Sequence, residues 1–111
     1  MGSKPLVIIV STDSDRRKEF YELMKERTDR SFVLVEDCQK LRELETPVAV
    51  VVDVRSQGGL ELLRFVQAFY EETDDVFTYA VGPSGGIIPS ECRKFPRVEY
   101  LGNTNSLRNA A

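Results

Sequence analysis

Histidine is absent from this chain of 111 residues. Its absence removes His-based catalytic triads, histidine general bases and zinc sites with histidine ligands in one step. Cysteine is scarce. Cys38 and Cys92 lie far apart and no CxxC pair occurs, so a reduced, cytoplasmic setting is expected rather than a disulfide framework. Charge of one sign is never concentrated, and the net charge is -3. The basic footprint of a nucleic-acid binder is therefore missing. No apolar run approaches membrane-spanning length. The opening Met-Gly-Ser-Lys-Pro lacks the charged-then-apolar order of a secretory signal, and Leu6 stands where a myristoylation motif wants Ser or Thr. Neither a direct nucleic-acid partner nor a membrane is expected for this domain.

What is present is an alternation. Apolar residues make up 41 % and charged residues 30 %, the balance of a soluble domain with one modest core. Short apolar runs alternate with segments of 3.6-residue period. The runs at 5–10, 31–35, 48–54, 76–81 and 98–101 predict five strands. The first is a continuous apolar run, as in a strand buried on both faces, and the third is the most hydrophobic. A helix is predicted over about 15–27, with Thr12 and Asp15 as its capping box and Phe20, Leu23 and Met24 on its buried face. Asp37 is placed to cap a short helix carrying Cys38, Leu41 and Leu44. The segment 59–72 is the clearest helix, with Leu62, Leu63, Val66, Phe69 and Tyr70 on one stripe. Gly82–Gly86 reads as a loop, Pro89 as the first turn of a short helix, and the tail from Thr104 as barely two turns.

Strand–helix alternation of this kind predicts an α/β domain with a parallel sheet and helices on both faces. Five strands suggest the flavodoxin-like order 2-1-3-4-5, whose working edge lies at the carboxyl ends of strands 1 and 3. Ser11, Thr12 and Asp13 end strand 1 there, and Asp53 ends strand 3. Asp53 and Asp13 are thus expected on the same rim.

With five βα units, an acid ending strand 3 and "GLELLRFV" opening the next helix, the chain resembles the response-regulator receiver domain, the CheY-like fold. The resemblance implies that residues 1–111 form a single receiver-like domain, a fragment or N-terminal domain of a larger regulator. It places Asp53 on the aspartate that accepts a phosphoryl group in that family. The family also uses an acidic pair holding Mg²⁺, a hydroxyl ending strand 4 and a lysine ending strand 5. Here those positions fall on Ser11 and Thr12, on Val81 or Gly82, and near Asn103. Only the neighbouring Asp13 could supply a metal ligand. Phosphoryl transfer depends on charge neutralisation and positioning, and Mg²⁺ wants several oxygen ligands. The pattern therefore resembles a degenerate pseudo-receiver without a cofactor. The short "SQGGLELL" connection is similar to receivers at the front of FleQ-type flagellar regulators.

The expected function is a non-catalytic regulatory module in two-component or transcription control, acting through a protein partner or a homodimer. The resemblance puts the partner surface on the side of helix 4, strand 5 and helix 5, with Phe95 and Tyr100 as candidates. A genuine phospho-accepting receiver, with Mg²⁺ on Asp53 and Asp13, is the alternative. A small nucleotide or flavin binder using the Gly82–Gly86 loop is the third reading. The structural counterpart for Asp53 is a strand-end acid accepting backbone N–H bonds. For Asp13 and Asp15 it is service in the first turn of a helix. "VVDVRS" is similar to a rhodanese strand, but the chain lacks the accompanying segments, and Cys92–Arg93 has no supporting motif. Because a fifth helix is short or absent, apolar sheet surface beside the first helix is expected to lie open.

Overall fold

Strands buried on both faces at the centre of one sheet organise the molecule, described here from a computed structural model for residues 4–55, 58–73, 75–82, 98–101 and 107. The elements run β1 (Leu6–Val10), α1 (Ser14–Met24), β2 (Ser31–Val35), a 3-10 helix (Cys38–Glu43), β3 (Ala49–Asp53), α2 (Gly59–Phe69), β4 (Phe77–Val81) and β5 (Val98–Leu101). The sheet order is β2-β1-β3-β4-β5, every pair parallel. This is the flavodoxin-like α/β arrangement expected from the apolar runs. The expected helix near Pro89, and with it Cys92 and Phe95, lies outside the described residues, as do Ser84 and Asn103.

The two sheet faces carry separate cores. Ile8, Val10, Val50, Val52 and Ala80 point to one face, under Leu41 of the 3-10 helix and Leu63 and Val66 of α2. Val7, Ile9, Ala49, Val51 and Val81 point to the other, under Phe20 and Met24 of α1. Because side chains alternate with period two, both faces of β1 and β3 are apolar. Five consecutive residues of β3, Ala49 to Asp53, are buried.

Several expectations need correction. The cap of α1 is Asp13, whose Oδ1 accepts the Asp15 and Arg16 amides at 2.9 and 3.4 Å; Thr12 does not cap. The helix then ends at Met24, one turn before the predicted Arg27. On α2, Phe69 is exposed rather than on the buried stripe, and the helix ends there instead of at Glu72. Tyr100, a candidate for the partner surface, is half-buried on the α2 face, and the neighbouring Tyr79 does not share that face. Tyr79 lies in register with Glu99 and Ala80 with Tyr100, so the two rings leave opposite faces of the sheet. Finally, the sheet face beside α1 is not open: Val7, Ile9, Val51 and Val81 are fully buried, and Leu107 of the tail is buried in the same cluster.

The two adjacent glycines at the start of α2 have different tasks. Gly58 has φ 76°, the left-handed region that glycine enters without penalty. Gly59 is helical and buried, and a Cβ there would lie 2.5 Å from Val54 Cα and 2.6 Å from the Asp53 carbonyl oxygen. Both obstacles are backbone, so they cannot turn aside. The pair lets α2 begin directly against the end of β3. Gly59→Ala is therefore expected to destabilise the fold by about 2 kcal/mol or more, as overpacking against fixed atoms does. Gly58→Ala should cost about 1 kcal/mol, for strain alone. Urea unfolding followed by circular dichroism checks the ordering.

Candidate functional site

Parity decides what surrounds Asp53. Counting by twos from Val51, its side chain leaves β3 on the α1 face, the same face that Ser11 reaches by counting from Ile9. Val10 lies in register with Val52, so Ser11 follows β1 just as Asp53 ends β3. The first turn of α1 closes over both.

The Asp53 side chain is fully buried. Its Oδ2 accepts the Ser11 hydroxyl at 2.8 Å and Arg16 Nε at 2.7 Å. Its Oδ1 accepts the backbone N–H of Arg55 at 3.1 Å. Both carboxylate oxygens are thus engaged, and one bond is charge-assisted, the stronger class. Ser11, also fully buried, accepts the Asp13 N–H at its own Oγ, 3.1 Å away. Asp13 in turn caps the helix. Ser11, Asp13 and the amides of α1 therefore form one chain of hydrogen bonds ending on Asp53. The Ser11 carbonyl is held as well, by Arg17 Nη1 at 2.5 Å.

Arg16 was not among the residues singled out from the sequence. Its side chain is 15 % exposed, its guanidinium carbon stands 5.0 Å from the centre of the Phe20 ring, and Glu19 lies at 4.0 Å. The Phe20 face supplies a favourable seat for a cation. A signal existed in the chain. Arg16 is the third residue after the cap of α1, at the helix end whose dipole disfavours positive charge. An arginine there is anomalous unless a buried acid faces it, and parity places one there.

The remaining rim positions are filled in other ways. Asp13 is exposed and uses Oδ1 on its own helix. The end of β4 carries no hydroxyl at the position the resemblance pointed to. Gly82 is buried there, and a Cβ on it would stand 1.6 Å from the Tyr100 hydroxyl. Tyr100 is half-buried on the α2 face and its ring fills the space a side chain at 82 would need. Thr12, Glu36, Asp37 and Leu62 line a shallow recess of about 420 Å³ nearby. Among the described residues no group of three His, Cys, Asp or Glu side chains is placed to hold a metal ion. None of the helices among them is long and apolar enough to cross a membrane.

Comparison with solved structures agrees with this topology. A BeF3-activated DrrB receiver domain matches with a TM-score of 0.69 and 14 % identity, over 96 % of this chain and 93 % of that one. A response regulator from Thermotoga maritima matches with the same figures. A sensor protein from Polaromonas sp. JS666 matches with a TM-score of 0.56 and 17 % identity, over 73 % and 67 %. The fold is that of a response-regulator receiver domain. No family model and no curated protein matches the sequence.

Removing one partner of a buried ion pair strands the other, at a cost of about 3–5 kcal/mol. Arg16→Ala should lower unfolding stability in urea by an amount in that range. Replacing both charges, Arg16→Met with Asp53→Leu, should recover roughly half or more of the loss, because a packed apolar pair needs no counter-charge. Equal losses in the single and double variants would show that the pair is not the source.

Proposed function

We propose that this chain is a receiver-type regulatory module that works through protein–protein contacts, without enzymatic activity and without a phosphorylation cycle at Asp53. The observation that carries the reading is the Arg16–Asp53 ion pair. A phospho-accepting carboxylate must present an oxygen to the incoming phosphorus, with a cation close by to neutralise developing charge. Here Oδ2 is already shared between Ser11 and Arg16 and is closed to solvent.

The residues around Asp53 fit Mg²⁺ poorly. The ion takes oxygen ligands at about 2.1 Å in octahedral array and keeps several waters. Ser11 and Thr12 are neutral, Asp13 is committed to the helix cap, and a guanidinium stands within hydrogen-bonding distance of Asp53. A dication on Oδ2 would meet that guanidinium at close range. The side chain of Arg16 supplies the positive charge itself, as a permanent part of the chain.

Such a module suits a cytoplasmic signalling or transcription-control protein, as one domain of a larger regulator. The short β3–α2 connection, which the Gly58–Gly59 pair makes possible, supports a likeness to FleQ-type receivers.

The test is direct. In the presence of Mg²⁺ and beryllofluoride, amide NMR signals of Asp53, Val54 and Arg55 are expected to stay in place. Acetyl phosphate labelled in its phosphoryl group should leave the protein unlabelled. Uptake of label that disappears in Asp53→Asn would overturn the proposal and favour a genuine phospho-acceptor.

A further inference from the structure

The exposed face of α2 is apolar at its centre and charged at its ends. Leu63 and Val66 are buried against the sheet, whereas Glu61, Arg64, Phe65, Ala68 and Phe69 face solvent, followed by exposed Glu71 and Glu72. With 3.6 residues per turn, Glu61, Phe65 and Ala68 form one stripe, flanked by Arg64 and Phe69, and Glu71 and Glu72 follow in the turn just beyond the carboxyl end of the helix. Phe65 and Phe69 are each 38 % exposed, and their rings are stacked at 6.1 Å and 18°. Two large rings left together on a helix surface form a patch, unlike scattered single exposures.

The neighbouring element explains the exposure. Beside α2 stands a six-residue 3-10 helix, Cys38–Glu43, in place of a full α-helix. It covers the core with Leu41 but leaves a hollow of about 540 Å³, lined by Phe65, Lys40, Arg42, Asp37, Glu43 and Gln39.

We infer that this face of α2 is a self-association surface, and that its occupant is the same helix of a second copy of this chain. Charge complementarity selects that occupant. Arg64 lies on the amino-terminal side of the aromatic pair, while Glu71 and Glu72 lie on its carboxyl-terminal side. Running the second helix antiparallel, about a two-fold axis between Gln67 and Ala68, brings Phe65 of each copy towards Phe69 of the other. The same operation brings Arg64 towards the second copy's Glu71 and Glu72. Ala68, beside the axis, has the small side chain that lets two helices approach closely. A parallel arrangement would set like charges against each other at both ends. The patch is thus complementary to itself under the symmetry that most dimers use. Glu61 stands one turn outside the contact and adds no pairing.

The inference rests on reading the chain as a contact module, but its test is independent of Asp53. Light scattering and sedimentation report on α2 whatever the phosphate label does, and the label is blind to self-association. The average mass of the wild-type chain should rise from one copy towards two between about 10 μM and about 1 mM, the range a small interface commands. Phe65→Ser with Phe69→Ser should abolish the rise while leaving the circular dichroism spectrum intact. Arg64→Glu should weaken association by roughly tenfold, as loss of an interfacial charge pair does. Adding Glu71→Arg and Glu72→Arg to that variant should restore association to within about threefold, as coupled sites require. A strict monomer across the range, which would leave the face to some other partner, overturns the inference. So does a folded triple-charge variant that stays dissociated. If the double serine variant fails to fold, the charge reversal decides alone.

Discussion

The pairing of Arg16 with Asp53 constrains the rest of the rim. A carboxylate closed off from water costs several kcal/mol unless a counter-charge and hydrogen bonds compensate it. Here a guanidinium, a hydroxyl and a backbone N–H all converge on the group. Because the donors come from the end of β1, the first turn of α1 and the residues after β3, the ion pair fixes three segments at once. It also accounts for details that look unrelated. Asp13 must cap α1 so that the helix starts where Arg16 faces the sheet. Ser11 must be small enough to be buried between strand and helix, and must carry a hydroxyl to reach Oδ2. Phe20, one turn further along α1, backs the guanidinium with its ring.

The other side of the sheet is shaped by close backbone approach. Gly59 brings α2 against the end of β3, and Gly82 leaves room for the Tyr100 hydroxyl at the end of β4. In both places a missing Cβ is filled by a neighbour. Tyr100 therefore stands where a hydroxyl-bearing side chain on β4 would have been, but its ring rises from β5 on the α2 face. Asp53 faces α1. The aromatic group and the acid occupy opposite sides of the rim, and the sheet separates them.

Much of this architecture was legible from the chain. The run Val48–Val54 has the length and apolar, β-branched density of a strand buried on both faces, and the alternation of such runs with amphipathic segments points to a parallel sheet. The rim position of Asp53 and Ser11 followed from the strand order alone. The identity of the counter-charge did not follow, because nothing in the periodicity of a polar helix separates one arginine in its first turns from the other charged residues around it. Had its place been counted from Asp13 rather than from Thr12, its conflict with the helix dipole would have marked it. Phe69 was misplaced for a similar reason. The apolar stripe of α2 is wider than the sheet can cover, and periodicity alone does not say which edge of a broad stripe stays wet. The buried Leu107 shows a third limit. A tail too short to predict as a stable helix still places one leucine in the α1-side core, since tertiary burial outweighs local propensity.

A tethered cation differs from a bound one in its thermodynamics. A metal ion stabilises the state it binds in proportion to the logarithm of its concentration, so its site responds to the surroundings. A guanidinium on the same chain has no concentration to vary, and Asp53 keeps its counter-charge under all ionic conditions short of screening. Any input acting at Asp53 must first displace Arg16, which costs about 3 kcal/mol or more by the general energetics of buried pairs. At that cost the opened state is populated at below about 1 %, and a ligand must prefer it by more than a hundredfold to hold it open. A carboxylate guarded in this way is poorly suited to frequent switching. In the proposed reading it holds β1, β3 and α1 in one arrangement, so that the surfaces built on them present a constant shape to a partner.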